Sequence, residues 1–309
     1  MNKVICIVGP TASGKTSLSV ELAKEINGEI ISADSMQIYK ELSIGTAKVT
    51  KEEMQNIPHH LVDFVNITEE FSVANFKKLA IEKIDDILNR NKVPIIVGGT
   101  GLYVSSVINN MTFEDEEIDI KYREQLYALA KEKGNNYIHD MLKKIDLKAA
   151  NDIHPNNVKR VIRALEMAKN NKIKTDRLLE DETKRKENSK YIFNIYCLNF
   201  SKEILYERIN KRVDIMIKDG LEKEAKIVNK LNLGTLRQAI GYKEFKEYFD
   251  GIKSLDEVIE EIKLRTRQYS KRQLTWFKKI KNIKYLDALQ SKKQLIADIK
   301  RDLYDKKEC

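Results

Sequence analysis

Gly9-Pro10-Thr11-Ala12-Ser13-Gly14-Lys15-Thr16 decides the fold. Apolar Val4-Ile5-Cys6-Ile7-Val8 precedes it, and Leu18, Leu22 and Ile26 follow at helical spacing. That order of strand, glycine-rich loop and helix, with complete G-x-x-x-x-G-K-T spacing, is a P-loop. Gly9 and Gly14 permit the backbone geometry that turns successive N–H groups inward, and the helix N-terminus adds partial positive charge. Lys15 then reaches a terminal phosphate, and the Thr16 hydroxyl is placed to ligate Mg²⁺. The loop alone leaves open whether a nucleoside triphosphate or another diphosphate ester fills it.

Around this loop the chain has 309 residues, enough for two domains or one domain with a large insertion. A hydrophobic content of 42% beside 33% charged residues excludes a disordered or membrane-embedded class. No apolar run approaches the length of a bilayer span, and Met1-Asn2-Lys3 leads at once into the first strand. A cytoplasmic protein without a signal peptide is therefore expected. Cys6, Cys197 and Cys309 lie far apart with no C-x-x-C pair, so they read as reduced thiols rather than zinc ligands. The net charge of +9 suits a polyanionic partner. Nine cations from Lys263 to Lys284 occur without an intervening acid, whereas Glu114 to Asp119 is strongly acidic.

The predicted elements describe an α/β protein, a P-loop NTPase-like parallel sheet with an all-helical insertion and a helical C-terminal segment. Boundaries fall at 1–111 for the first part of the core, 112–190 for the insertion and 191–309 for the remainder. Glu29-Ile30-Ile31-Ser32 is a second strand, and Asp34 stands just past its end, where open α/β sheets collect ligands. Capping of a turn is the alternative role for Asp34. Lys92 to Val97 is a buried strand followed by Gly98-Gly99-Thr100-Gly101, a second loop of phosphate-approaching type with a hydroxyl at Thr100. Adjacent His59 and His60 point to opposite faces and do not form a two-histidine metal site. In the insertion, His154-Pro155-Asn156-Asn157 starts a helix whose Val158, Val161, Ile162 and Leu165 share one face. Lys159, Arg160 and Arg163 share the other. Arg208 and Arg212 lie one helical turn apart, a spacing that can clamp an anion.

Further stretches sharpen this reading. GPTASGKT from Gly9, SADSMQIY from Ser32, IGTAK from Ile44, HHLVD from His59, FSVANF from Phe71 and IVGGTGLY from Ile96 occur in that order. RVIRALE from Arg160, YERINKRVDIMI from Tyr206, RQAIGYKE from Arg237 and RQYSKRQLTWF from Arg267 follow. Together they resemble the bacterial tRNA dimethylallyltransferases, or tRNA isopentenyltransferases, over residues 3 to about 280. The chain departs from that pattern at Val49, Asn75 and Lys159, where the family has Pro, Asp and Gln.

The resemblance implies transfer of dimethylallyl from dimethylallyl diphosphate to N6 of the adenine at tRNA position 37, beside the anticodon. It implies that Gly9, Pro10, Thr11, Ala12, Ser13, Gly14, Lys15 and Thr16 bind the diphosphate, and that Mg²⁺ sits at Thr16. Lys15, Arg208 and Arg212 would neutralise the departing anion, Asp34 would act as general base, and Thr100 would face the reacting carbon. Ser35, Met36 and Gln37, with Asp34 and Thr100, would hold the extruded base. Arg123, Lys159, Arg160, Val161, Ile162 and Arg163 would grip tRNA, as would Arg237, Gln238, Ala239, Ile240, Gly241, Tyr242, Lys243 and Glu244. The basic segment would be tRNA-facing too. Family members act as monomers, and none is expected at a membrane. The competing readings are an ATP-using kinase, an adenylate isopentenyltransferase and a non-catalytic tRNA-binding protein. ATP turnover, transfer to free AMP and RNA binding without transfer separate them.

Overall fold

The structure, a computed structural model, describes residues 2–113, 119–169, 190–231 and 234–304, leaving out the side chains of 234 and 235. The acidic stretch 114–118 and Cys309 lie outside the described residues. Two compact units emerge: Met1–Ile108 with Lys190–Cys309, and Asn109–Ser189.

The first unit is built on β1 (Asn2–Val8), β2 (Gly28–Ser32), β3 (His59–His60), β4 (Val93–Gly98), β5 (Tyr191–Asn199) and β6 (Lys284–Asp287). Their order is β3-β2-β4-β1-β5-β6, with every neighbour parallel. Parallel strands need both faces covered, which is why β1 reads as an uninterrupted apolar run and Val4 to Val8 are fully buried. Register places Val8 beside Gly98 on one side and Cys197 on the other, so the loops that leave β1 and β4 emerge together.

Helices α1 (Lys15–Ile26), α2 (Lys51–Met54), α3 (Val73–Asn89) and α4 (Gly101–Ile108) alternate with these strands. Phe76, Ile84 and Ile87 of α3, with Val104 of α4, bury the side of β1 that carries Val4, Cys6 and Val8. The opposite side, with Ile5 and Ile7, receives Leu18 and Leu22 of α1.

The second unit contains α5 (Ile120–Lys133), α6 (Asn135–Ile145), α7 (Leu147–Asp152) and α8 (Val158–Lys169), closed around Leu126, Ile138, Leu142, Val161, Ile162 and Leu165. Val161 and Ile162 are therefore core residues. Their side chains bury apolar surface inside the bundle, which corrects the expectation that they touch tRNA.

The chain then adds α9 (Lys202–Lys218), α10 (Leu221–Lys230), α11 (Gly234–Arg237), α12 (Phe245–Phe249), α13 (Leu255–Phe277) and α14 (Lys292–Tyr304). Val213, Leu221, Val228, Phe245, Val258 and Ile262 fix α9, α10, α12 and α13 to the loop after β2 through Ile38 and Leu42. Leu295 and Ile299 seat α14 beside α1. Strands β3 and β6 escape sequence reading because both are very short and neither is fully buried. Among the described residues no helix is long and apolar enough to cross a membrane.

Candidate functional site

The loop after β1 takes three left-handed or related conformations, at Gly9 (φ 147°), Ala12 (φ 62°) and Gly14 (φ 85°). Glycine suits the first because a Cβ there would lie 3.2 Å from the Leu198 carbonyl oxygen. With those turns made, no hydrogen bond among the described residues takes the N–H of Ala12, Ser13, Gly14, Lys15 or Thr16. These groups form an open anion cradle at the start of α1. Lys15 Nζ folds over the loop, donating to the Pro10 carbonyl at 2.6 Å and approaching Ser13 Oγ at 3.4 Å. Burial pushes this ammonium down to about 8, and neighbouring Arg212 adds to the shift while Asp34 opposes it.

Asp34 is delivered by the end of β2. The Ala33 N–H donates to the Val97 carbonyl at 2.7 Å, and the Thr100 N–H donates to the Ala33 carbonyl at 3.2 Å. A Cβ on Gly98 would collide with the Ala33 backbone, so that glycine is what allows the two strand ends to close. Asp34 Oδ1 accepts from the Met36 N–H at 2.9 Å and the Gln37 N–H at 3.4 Å. It thus caps the turn with one oxygen, and no described group bonds the other. Both roles weighed for Asp34 are available at once.

Thr100 stands beside this turn but outside the cavity. Its hydroxyl oxygen accepts from the Ser35 N–H at 3.0 Å and bonds Ser35 Oγ at 3.3 Å. Gly99 and Gly101 make room for α13: a Cβ would strike Gln273 in the first case and the Trp276 ring in the second.

Helix α9 supplies both arginines. Arg208 is exposed, donates from Nε to the Ala12 carbonyl at 2.8 Å, and lies over the Phe200 ring at 5.0 Å. Arg212 is turned inward, where burial lowers its pKa against the pull of Asp34.

A cavity of about 480 Å³ joins these parts. Thr11, Lys15, Thr16, Asp34, Gln37 and Arg212 line it, as do the segment Gln238 to Lys243 and Tyr269, Arg272 and Gln273 of α13. Thr100, Arg208 and Arg237 are not part of the lining. Such a volume falls within the roughly 300–1,000 Å³ of small-ligand sites.

Sequence reasoning missed how one wall is built. Buried Glu224 accepts from the N–H groups of Ser43 (2.8 Å), Ile44 (3.0 Å) and Gly45 (2.7 Å) and from the Tyr242 hydroxyl (2.8 Å). A carboxylate with four donors is fully satisfied, and it fixes the 43–47 loop against the cavity. Gln37 Nε2 reinforces that loop by donating to the Ala47 carbonyl at 2.9 Å. Tyr242 and Glu244, expected at the tRNA surface, are buried. Tyr242 points to Glu224, and Glu244 accepts from the Gly241 N–H at 2.8 Å, so both hold the segment's shape.

In the helical unit, Arg123 makes a two-pronged ion pair with Glu166 at 2.7 and 3.0 Å, and Arg163 lies 3.6 Å from the same carboxylate. Lys159 and Arg160 are exposed with no carboxylate partner among the described residues. The basic segment divides similarly. Lys263 pairs with Asp214 and Glu260, Arg265 with Glu261, and Lys284 with Asp302. Lys271, Lys278, Lys279 and Lys281 have no such partner and face solvent. His60 bonds buried Glu29, and Glu29 is held far below the usual carboxylate range by Arg90, with Lys92 and His60 helping. No group of three or more His, Cys, Asp or Glu among the described residues could hold a metal ion.

Comparison with known proteins places this geometry. Residues 37–280 match the family model described as IPP transferase. A protein of Acetivibrio thermocellus named tRNA dimethylallyltransferase is 48% identical over 305 residues, covering 97% of both chains. One of a Thermoanaerobacter species with the same name is 50% identical over 289 residues, covering 92% of this chain and 91% of that one. Among solved structures, a full-length tRNA isopentenylpyrophosphate transferase from Bacillus halodurans superposes with TM-score 0.72 at 43% identity, covering 98% of this chain and 96% of that one. A eukaryotic dimethylallyltransferase described as acting on tRNA gives TM-score 0.77 at 32% identity, covering 97% and 79%.

Proposed function

The chain belongs to the IPP transferase family, and from that premise we propose how its own residues move a dimethylallyl group onto tRNA. The enzyme is a prenyltransferase that modifies a tRNA adenine. In our reading the donor is dimethylallyl diphosphate and the acceptor is N6 of adenine 37, beside the anticodon.

The observation that carries the proposal is the meeting of opposite chemistries in one cavity. Lys15, Thr16 and Arg212 offer donors and positive charge, and Asp34 offers an oxygen that no other group among the described residues uses. The C–O bond to the diphosphate breaks while the bond from N6 to the same carbon forms, and the amine releases one proton. Lys15, Arg212 and the inward N–H groups stabilise the negative charge that grows on the leaving diphosphate, where interactions lower the barrier most. The open oxygen of Asp34 accepts a hydrogen bond from the N6 amine, orients its lone pair and takes the proton. The adenine leaves the anticodon-loop stack to reach this point, at a cost of a few kcal/mol.

Mg²⁺ fits the donor set. Thr16 brings a hydroxyl to the cavity without a competing carboxylate cage, and Mg²⁺ commonly relies on water and substrate phosphate for its remaining ligands. Bound beside Thr16, it would neutralise diphosphate charge.

Outside the cavity, Lys159, Arg160, Lys271, Lys278, Lys279 and Lys281 are exposed cations, without a carboxylate partner among the described residues, suited to RNA phosphates. Asp34→Ala and Asp34→Asn test the assignment. Transfer should fall by about 10²–10⁴-fold, the range for a general base, while RNA affinity stays at its wild-type value. Normal turnover in either variant would remove Asp34 from the chemistry.

A further inference from the structure

Gln273 lies on α13, far in sequence from the loops after β1 and β4, yet it is 5% exposed and both ends of its amide are engaged. Its Oε1 accepts from the Thr11 N–H at 2.9 Å, and its Nε2 donates to the Gly99 carbonyl at 2.9 Å. Thr11 belongs to the loop after β1 and Gly99 to the loop after β4, and these strands are hydrogen-bonded neighbours. One amide therefore bridges the two loops at the carboxyl ends of the central strands.

The bridge has a fixed polarity. A carboxylate could accept from Thr11 but would face the Gly99 carbonyl without a proton to offer. An apolar side chain would leave both backbone groups unpaired in a buried place. Gly99 is part of the same arrangement, because a Cβ there would overlap Gln273 Nε2. The neighbours of Gln273 on α13 reinforce it. Tyr269, one turn earlier, lies close to both Thr100 and Gln273. Trp276 Nε1 donates to Ser105 Oγ at 2.9 Å, with its ring covering Gly101. Gln273 and Trp276 thus fasten one face of α13 to residues 99–105.

We propose that Gln273 is a positioning residue for transfer: it sets the spacing between the diphosphate cradle and the Asp34 side of the cavity. Thr11 immediately precedes the open N–H groups of the cradle and its own N–H is taken by Gln273, so the amide fixes the loop where it enters its turn. The Gly99 carbonyl is fixed next to Thr100, whose hydroxyl holds the turn that carries Asp34. A shift of either loop changes the distance between the departing oxygen and the amine, and a misplacement of about 1 Å can cost about 100-fold in rate. This inference rests on the proposed transfer reaction for its catalytic part and on the cradle alone for its binding part.

The test compares wild type with Gln273→Met, similar in length but unable to bridge, and Gln273→Glu, which keeps only the acceptor. Calorimetric titration with inorganic diphosphate and Mg²⁺ reads the cradle without the reaction. Single-turnover transfer from dimethylallyl diphosphate to an anticodon stem-loop, scaled to folded protein, reads the geometry. We expect kcat to fall about 10–100-fold in both variants, diphosphate affinity to fall about tenfold in Gln273→Glu, and the KM for RNA to stay within about twofold, with binding energy lost in the transition state rather than uniformly. Lowered thermal stability with wild-type kcat and wild-type diphosphate affinity would overturn the proposal and leave Gln273 a packing residue. If wild type itself transfers nothing to RNA, the reaction assignment fails, and unchanged diphosphate affinity in both variants would then overturn the binding part too.

Discussion

Titrating the protein with dimethylallyl diphosphate between pH 7 and pH 9, without RNA, reads the charge state of Lys15 directly. Its ammonium sits under the cradle at about 8 because burial disfavours charge, Arg212 adds repulsion and Asp34 only partly offsets both. At pH 7 about nine molecules in ten then carry a protonated Lys15, and at pH 9 about one in ten. A bound diphosphate favours the ammonium strongly, so binding at high pH must first supply the proton. Apparent affinity should fall about tenfold across the window, about 1.4 kcal/mol, with Kd rising once pH passes 8. The last ionisation of a phosphate monoester lies near pH 6, so the ligand's own charge changes little over this range. Calorimetry in two buffers of different ionisation enthalpy should show proton uptake of about half a proton at pH 8, approaching one at pH 9. Lys15→Met should bind weakly at every pH and take up no proton. The same shift has an opposite signature in the free protein. The folded value lies below the ordinary 10.5, so the penalty is fully present below about pH 8 and is relieved as pH rises toward 10.5. Free protein should gain stability over the interval in which ligand affinity is lost. A flat affinity from pH 7 to pH 9 with no proton uptake would refute this account of Lys15.

Three further outcomes follow from other parts of the molecule. Glu224→Gln keeps the volume but turns one acceptor into a donor facing backbone N–H groups, and should cost about 1–3 kcal/mol in denaturant unfolding. Gly45→Ala should cost a similar amount, because its Cβ would lie 2.7 Å from the Tyr242 ring; unchanged midpoints in both would show that the 43–47 loop is not held as described. The double variant Lys159→Ala, Arg160→Ala should weaken RNA binding and reduce the slope of log affinity against log salt by about 1.5, measured by fluorescence anisotropy. An unaltered slope would remove these cations from the RNA surface.

The residues that could be found from sequence are those whose neighbours in the chain reveal their purpose. The cradle from Gly9 to Thr16 follows an apolar strand and opens a helix, and Asp34 stands immediately past a strand, so local order exposes both. Arg208 and Arg212 share a helical turn. What escaped was set by contacts across long stretches of chain. Gln273 meets Thr11 from 262 positions away, and nothing beside it announces a partner. Glu224 looks like any helical surface acid until Ser43, Ile44 and Gly45 turn their N–H groups toward it. The same blindness hid that Gly99 and Gly101 make room for α13. It also placed Tyr242 and Glu244 outside, because a short polar segment gives no period from which burial can be read. Val161 and Ile162 were placed on the apolar face by their spacing, and that spacing proved the better guide to their role.

The most direct test of the whole account mixes the protein with labelled dimethylallyl diphosphate, Mg²⁺ and two unmodified anticodon stem-loops that differ only in adenine or guanine at the target position. The account predicts label in the adenine RNA alone, with one diphosphate released per group transferred. Label in neither RNA, or in both equally, would contradict it.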